Sequence, residues 1–344
     1  MLLLPICPLR ARRSPSVMKF STYADGPKAG LIALRSSFFS LLIGAAMFVG
    51  LAVGTADAQT RTKSIPIRSG SGAFDITAGA DGNFWFTLSN GSQVASITPK
   101  GQITTFRTPS LSDPAFITLG PDGNVWFGEG STGKIASITP AGQITERQFS
   151  FFGVSVGITT GSDGNIWFSD QTDHAIWRYD ISSGVFTEFK TPTSNSFPGD
   201  MTLATDGNVW FTEQAVGKFA KITPSGEITE FTGVDSPTSI AAGPDGNLWI
   251  ASAFTPNVAR VTTAGAITVF PVPHTPSIIR PGAGNTLLFT SFTGNTIASI
   301  TTDGVVTEST PFANSAPLGI TAGRRGQVWF LGNGSNRVYR TIFP

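Results

Sequence analysis

The chain of 344 residues contains one cysteine, Cys7, and two histidines, His174 and His274. A single thiol near the amino terminus excludes a disulfide framework and, once a leader is removed, cysteine catalysis. No Ser-His-Asp spacing, nucleophile elbow, phosphate loop or Cys/His metal cluster occurs. Charged residues make up only 13% of the chain, low for a cytoplasmic enzyme. The formal charge of +1 is weighted toward the start of the chain. Six of the 23 basic and two of the 22 acidic residues lie before residue 59, leaving 17 against 20, a net of −3. That balance offers nothing to nucleic acid.

Long apolar runs are also scarce. One runs from Phe38 to Gly54 behind Arg35 and is short and Gly/Ala-rich for a membrane span. Ala56-Asp57-Ala58 follows it with the small-x-small pattern of a signal-peptidase site. Residues 1–58 are therefore expected to be an export segment cleaved near Ala58, with 59–344 as the mature chain, periplasmic or secreted. A retained anchor is the alternative, and Met18-Lys19 is a second candidate start. Cys7 leaves with the leader, and no cysteine follows the apolar run to carry a lipid.

What the sequence has in abundance is glycine, 39 residues, and a repeat. DGNFWF begins at Asp81, DGNVWF at Asp122, DGNIWF at Asp163, DGNVWF at Asp206 and DGNLWI at Asp245. A degenerate GNTLLF begins at Gly284, and RGQVWF at Arg325. The shared glycines are 41, 41, 43, 39, 38 and 42 residues apart. A period of about 40–45 residues with four short strands per unit is that of a propeller blade. Seven copies predict an all-β, seven-bladed propeller of four-stranded antiparallel blades in one domain. After RGQVWF only one further strand, Arg337–Ile342, is available, so blade 7 lacks its outer strand. The segment Thr62–Ile67 has outer-strand character and is expected to complete blade 7, removing two open edges.

Within a blade, Asp-Gly and Asn-Gly supply the positive φ of tight turns. The Asp-Gly-Asn sites read as turns rather than calcium loops, which need more oxygen ligands. Tryptophans 85, 126, 167, 210, 249 and 329 fall in one repeated slot and read as core between blades rather than sugar platforms. Trp177 lies outside that slot. Strand direction puts the Asp-Gly-Asn turns on one face of the disc. The opposite face carries the start of each inner strand and the end of each second strand, and a ligand is expected at this mouth. Phe74, Thr238, Ser277 and Leu318 are the candidate binding positions there. Glu129, Asp170 and Glu213 end the second strands of consecutive blades, with Asp200 nearby, and could hold magnesium or calcium. The alternative is solvated loop acids. His174 and His274 fall in loops of the same face and are the candidate general bases, or else ordinary exposed histidines.

The units ITLGPDGNVWFGE, GKIASITPAGQITE and GKFAKITPSGEITEF resemble those of the streptogramin B (virginiamycin B) lyases, over about residues 62–344. The resemblance implies a seven-bladed propeller that opens a cyclic depsipeptide by elimination at its ester, with magnesium. Its catalytic positions fall on unsuitable residues. A family histidine maps to Ser277, and a second, the base, to Leu318. The metal-binding glutamates map to Ala316 and to Leu331-Gly332, and the blade 1 tyrosine to Phe74. Leucine cannot accept a proton, which argues against lyase chemistry. The first expectation is an exported, monomeric propeller binding a small molecule, peptide, glycan or envelope protein. The second is a metal-dependent carbon–oxygen lyase or lactonase-like enzyme with a relocated site at Glu129, Asp170 and Glu213, with His274 as its base. The third is a structural module of an envelope assembly. No membrane contact is expected after leader cleavage.

Overall fold

The computed structural model describes residues 54–56 and 62–343, except Ser131 and Phe152. Seven antiparallel sheets follow one another in chain order, and the inner strand of each packs against that of the next, the seventh against the first. This is the predicted propeller. Blade 2 shows the plan: an inner strand Pro114–Leu119, a second Val125–Glu129, a third Lys134–Ile138 and an outer Ile144–Gln148.

The first turn is built by its own sequence. Oδ1 of Asp122 accepts the backbone N–H of Asn124 at 3.1 Å and the indole N–H of Trp126 at 3.0 Å, while Oδ2 accepts the Asn124 amide at 2.8 Å. Gly123 supplies the φ of +78°. The same set recurs around Asp81, Asp163, Asp206 and Asp245. These aspartates are thus turn residues that also satisfy the buried indole. All six slot tryptophans are buried. Blade 7 departs from the pattern: Arg325 replaces the aspartate, and the buried Nε1 of Trp329 has no hydrogen-bond partner among the described residues.

Blades are fastened by a second device. The turn between the third and outer strands carries a glycine at positive φ, as at Gly142, Gly226, Gly265 and Gly304. Each lies against the outer-strand ring of the preceding blade: Phe106, Phe189, Phe231 and Phe270 respectively. Gly101 lies against Ile65 in the same way, across the junction of blades 7 and 1. Arginines reinforce three of these junctions. Arg178 Nη1 donates to the Pro224 carbonyl and Arg260 Nη1 to that of Thr302, both at 2.9 Å, and Arg340 donates to that of Pro99. Their guanidinium groups lie over Trp167, Phe270 and Trp329.

The amino-terminal strand closes the disc as expected. Lys63–Pro66 pairs antiparallel with Arg337–Arg340 and becomes the outer strand of blade 7. One pairing was not anticipated: Gly54–Ala56 runs parallel to Thr307–Ser309 on the outer edge of blade 6. These residues precede the expected cleavage position, and the rest of the expected leader lies outside the described residues. Among the described residues no helix is long and apolar enough to cross a membrane.

Candidate functional site

The mouth face is shaped where the inner strands begin. In blades 1–5 and 7 the register between inner and second strands shifts there, for example between Pro114 and Ile117. Such irregularities re-aim side chains next to sites. Phe74 stands half-buried at this level, its ring edge-on to Phe116 at 5.0 Å, and Leu318 packs on the same apolar cluster. Thr238 donates its hydroxyl to the Ala251 carbonyl at 3.1 Å, and the Ser277 hydroxyl accepts the Phe292 N–H at 3.1 Å. Two of the four candidate binding positions are therefore apolar, and the other two have hydroxyls engaged by backbone.

Glu129, Asp170 and Glu213 do end their second strands, but as buried groups rather than solvated loop acids. Burial pushes Glu129 up to about 7, with the neighbouring Glu146 charge adding to the effect. Burial likewise pushes Glu213 up to about 7, with Glu230 adding. Asp170 is raised by burial against three backbone N–H groups, those of Val154, Thr172 and Asp173, that donate to its Oδ1. Among the described residues at least one oxygen of each of the three side chains has no hydrogen-bond partner. The three do not converge: among the described residues no three His, Cys, Asp or Glu side chains come together as a metal site. One carboxylate per blade, separately enclosed, does not fit a shared divalent cation.

A repeated strut surrounds two of these acids. In blade 2 the outer-strand Glu146 receives Lys134 Nζ at 2.8 Å and the Ser110 N–H at 2.7 Å. In blade 4 Glu230 receives Lys218 Nζ at 2.6 Å and the Thr193 N–H at 2.8 Å. Blade 6 holds a third version. Glu308 occupies the same place, Thr296 donates to it at 2.6 Å, and His274 Nδ1 lies 3.0 Å from its Oε1. His274 thus stands where a loop residue braces the outer strand, with its ring about half exposed. With its proton on Nδ1 the imidazole donates to Glu308, and Nε2 is then the acceptor. His174 sits at a φ of +51° with its ring 4.8 Å from Phe197, and its buried Nδ1 has no partner among the described residues. The two histidines lie on blades 3 and 6 and share no partner.

The mouth loops also expose large apolar side chains. Phe151 is 87% exposed and Phe254 78%, and Phe197, Phe292 and Leu111 are exposed in neighbouring loops of the same face. Sequence reading passed over them because exposure in a loop leaves no periodic signal.

The axis contains an ionic hub that the sequence reading also missed. Arg280 of blade 6 donates from Nη1 to Oδ2 of Asp200 at 2.8 Å, and its Nη2 lies 3.4 Å from Oδ2 of Asp75. Ser239 donates its hydroxyl to Asp200 at 2.6 Å and accepts the Ile279 N–H. Ile117 N–H donates to Asp75 and Ile240 N–H to Asp200. Burial raises the Asp75 carboxyl above the ordinary range, against the lowering pull of Arg280. A usable signal was present: aligned inner strands place Asp75 and Asp200 in a slot filled elsewhere by Phe116, Gly157 and Ser239.

A profile described as the Virginiamycin B lyase family matches residues 46–236 and 232–343. Selenomethionine-substituted virginiamycin B lyase from Staphylococcus aureus is 30% identical, with a TM-score of 0.77 over 83% of this chain and 99% of that one. A catalytically inactive histidine-to-alanine variant of the Staphylococcus aureus enzyme, with quinupristin, matches at 29% identity, the same TM-score and the same coverage. The extracellular domain of a hybrid two-component system from B. thetaiotaomicron has a TM-score of 0.65 at 15% identity, over 83% of this chain and 42% of that one. That last likeness is one of fold. No curated protein matches the chain.

Proposed function

The chain belongs to the virginiamycin B lyase family, and from that membership we propose that it is an exported propeller that binds an apolar peptide-like ligand at its mouth without opening an ester. The observation that carries this reading is Leu318. It occupies the place that the resemblance assigns to the base and packs its side chain on the apolar cluster of the mouth with Phe74. Neither side chain can exchange a proton. Ala316 and Gly332, at the positions of the metal-binding glutamates, offer no carboxylate. The exposed phenylalanines of the surrounding loops supply the kind of contact area an apolar ligand needs. Export is supported by the apolar run before Ala56-Asp57-Ala58.

The test is direct. Purified mature protein is incubated with quinupristin with and without magnesium, and products are separated chromatographically, since ring opening by elimination leaves mass unchanged. No linear isomer is expected. Binding is expected to be saturable and to weaken about tenfold or more in a Phe151→Ser/Phe254→Ser double variant. A linear isomer that forms in proportion to enzyme would overturn the reading. Absence of any saturable binding to quinupristin or to an aromatic peptide library would overturn it from the other side.

One observation favours an enzymatic alternative. The His274–Glu308 pair presents a half-exposed imidazole on the mouth face, an arrangement compatible with a general base. If quinupristin is opened, His274→Gln should abolish the reaction.

A further inference from the structure

On the face opposite the mouth, where the inner strands end, the axis opens into a cavity of about 290 Å³. Its wall is a ring of threonines, Thr77, Thr118, Thr159, Thr202 and Thr321, one from each of five inner strands. Register puts Arg280 in the same ring: Thr77 pairs with Trp85 as Arg280 pairs with Leu288. The hub forms the inner end, with Asp75 and Asp200 both lining the space.

The polar groups there are unevenly satisfied. Arg280 Nη1 is engaged by Asp200, Ser239 and the Ile279 carbonyl. Oδ2 of Asp75 is engaged by Arg280 and Ile117. Among the described residues Oδ1 of Asp75 has no partner, although the residue is only 1% exposed. None of the five threonine hydroxyls bonds to a described protein group. Two carboxylates face one guanidinium, so the ionised cluster carries one net negative charge. Its unmet need is for hydrogen-bond donors and one positive charge. A buried acceptor left without a donor is costly, which makes a donor-bearing cation the complementary occupant.

We propose that this axial cavity is a binding site for a small organic cation with a primary ammonium group. The ammonium would donate to Oδ1 of Asp75 and to threonine oxygens, and a short polar chain would run along the hydroxyl ring. An ammonium carries three donors and no acceptor, which suits a cavity lined by an under-satisfied carboxylate and by hydroxyls. The size suits a molecule of a few heavy atoms, because the cavity lies at the small end of ligand pockets. Burial, the largest influence on the Asp75 carboxyl, raises it above the ordinary range despite the opposing charge of Arg280. The site is independent of the mouth, so the two readings stand or fall separately.

Ethanolamine is the probe, ethylene glycol its neutral near-isostere, and potassium chloride the inorganic control. Thermal unfolding is followed at constant ionic strength with each, and calorimetric titration checks the affinity. Ethanolamine should raise Tm saturably, following mass action for a ligand of the folded state. Ethylene glycol and potassium chloride should not. Asp75→Asn should weaken ethanolamine binding by about tenfold or more. Because that variant strikes the hub and can lose its fold, a Thr159→Val/Thr202→Val variant supplies the second arm, with the same loss expected. An equal effect of potassium or ethylene glycol would overturn the proposal. So would no saturable response to ethanolamine, or its full retention in the threonine double variant.

Discussion

Asp122 carries three hydrogen bonds with one carboxylate, and its counterpart in blade 7 is Arg325, which offers none to Trp329. The contrast gives a paired expectation. Asp122→Ala should destabilise the fold by about 1–3 kcal/mol, the usual cost of stripping partners from a buried donor. Arg325→Asp should stabilise it by about 1 kcal/mol, because Asp both accepts from the indole and tolerates positive φ. Urea denaturation of the two variants measures both, and equal effects would refute the account. Glu129 and Glu213 give a pH dependence. Both are raised by burial from 4.5 to about 7 in the folded chain. The folded state therefore holds protons that the unfolded state releases, and this stability is fully present below 4.5. It is lost as pH rises toward and through about 7, at up to about 1.4 kcal/mol per group per pH unit. A Glu129→Gln/Glu213→Gln variant should flatten the decline between pH 5 and 8 and be the more stable protein at pH 8. An unchanged slope would show that these carboxylates ionise freely in the fold.

At the scale of elements, blades are joined by turn glycines pressed on aromatic rings. A Cβ at Gly142 would overlap the Phe106 ring, which is itself stacked on Trp85 at 5.5 Å. A Cβ at Gly123 would meet open space, although both glycines have positive φ. Gly123→Ala should therefore cost about 1 kcal/mol for conformation alone. Gly142→Ala should cost about 2–4 kcal/mol, because overpacking against a fixed ring is added. Comparable values from denaturation would mean that the ring moves aside freely. Turn chemistry was legible in the sequence because Asp, Gly, Asn and Trp lie within five consecutive residues. The ring beneath Gly142 was not, because Phe106 belongs to another blade. The same distance in sequence hid the strut that places His274 beside Glu308. Each residue looks ordinary until blades 2, 4 and 6 are aligned as Ser110–Glu146, Thr193–Glu230 and His274–Glu308.

At the scale of the molecule, closure depends on a strand from one end of the described chain completing the blade at the other. Deleting residues 62–67 removes the partner of Arg337–Arg340 and uncovers the edge of blade 7. Tm should fall by on the order of 10 °C, since a whole strand and its packing are lost. An unchanged Tm would mean that the ring holds without its clasp. Blade number, blade plan and the clasp were readable directly, because each follows from a fixed period and from turn residues acting on their immediate neighbours. The burial of Glu129, Asp170 and Glu213 was not readable, since strand order places them at the mouth but does not say how the loops cover them. Nor was the axial hub, whose Asp75 and Arg280 are 205 residues apart. Local conformational preference determines the repeat and the disc. Only closing the disc decides which distant charges meet on its axis, because that meeting depends on where every blade comes to rest.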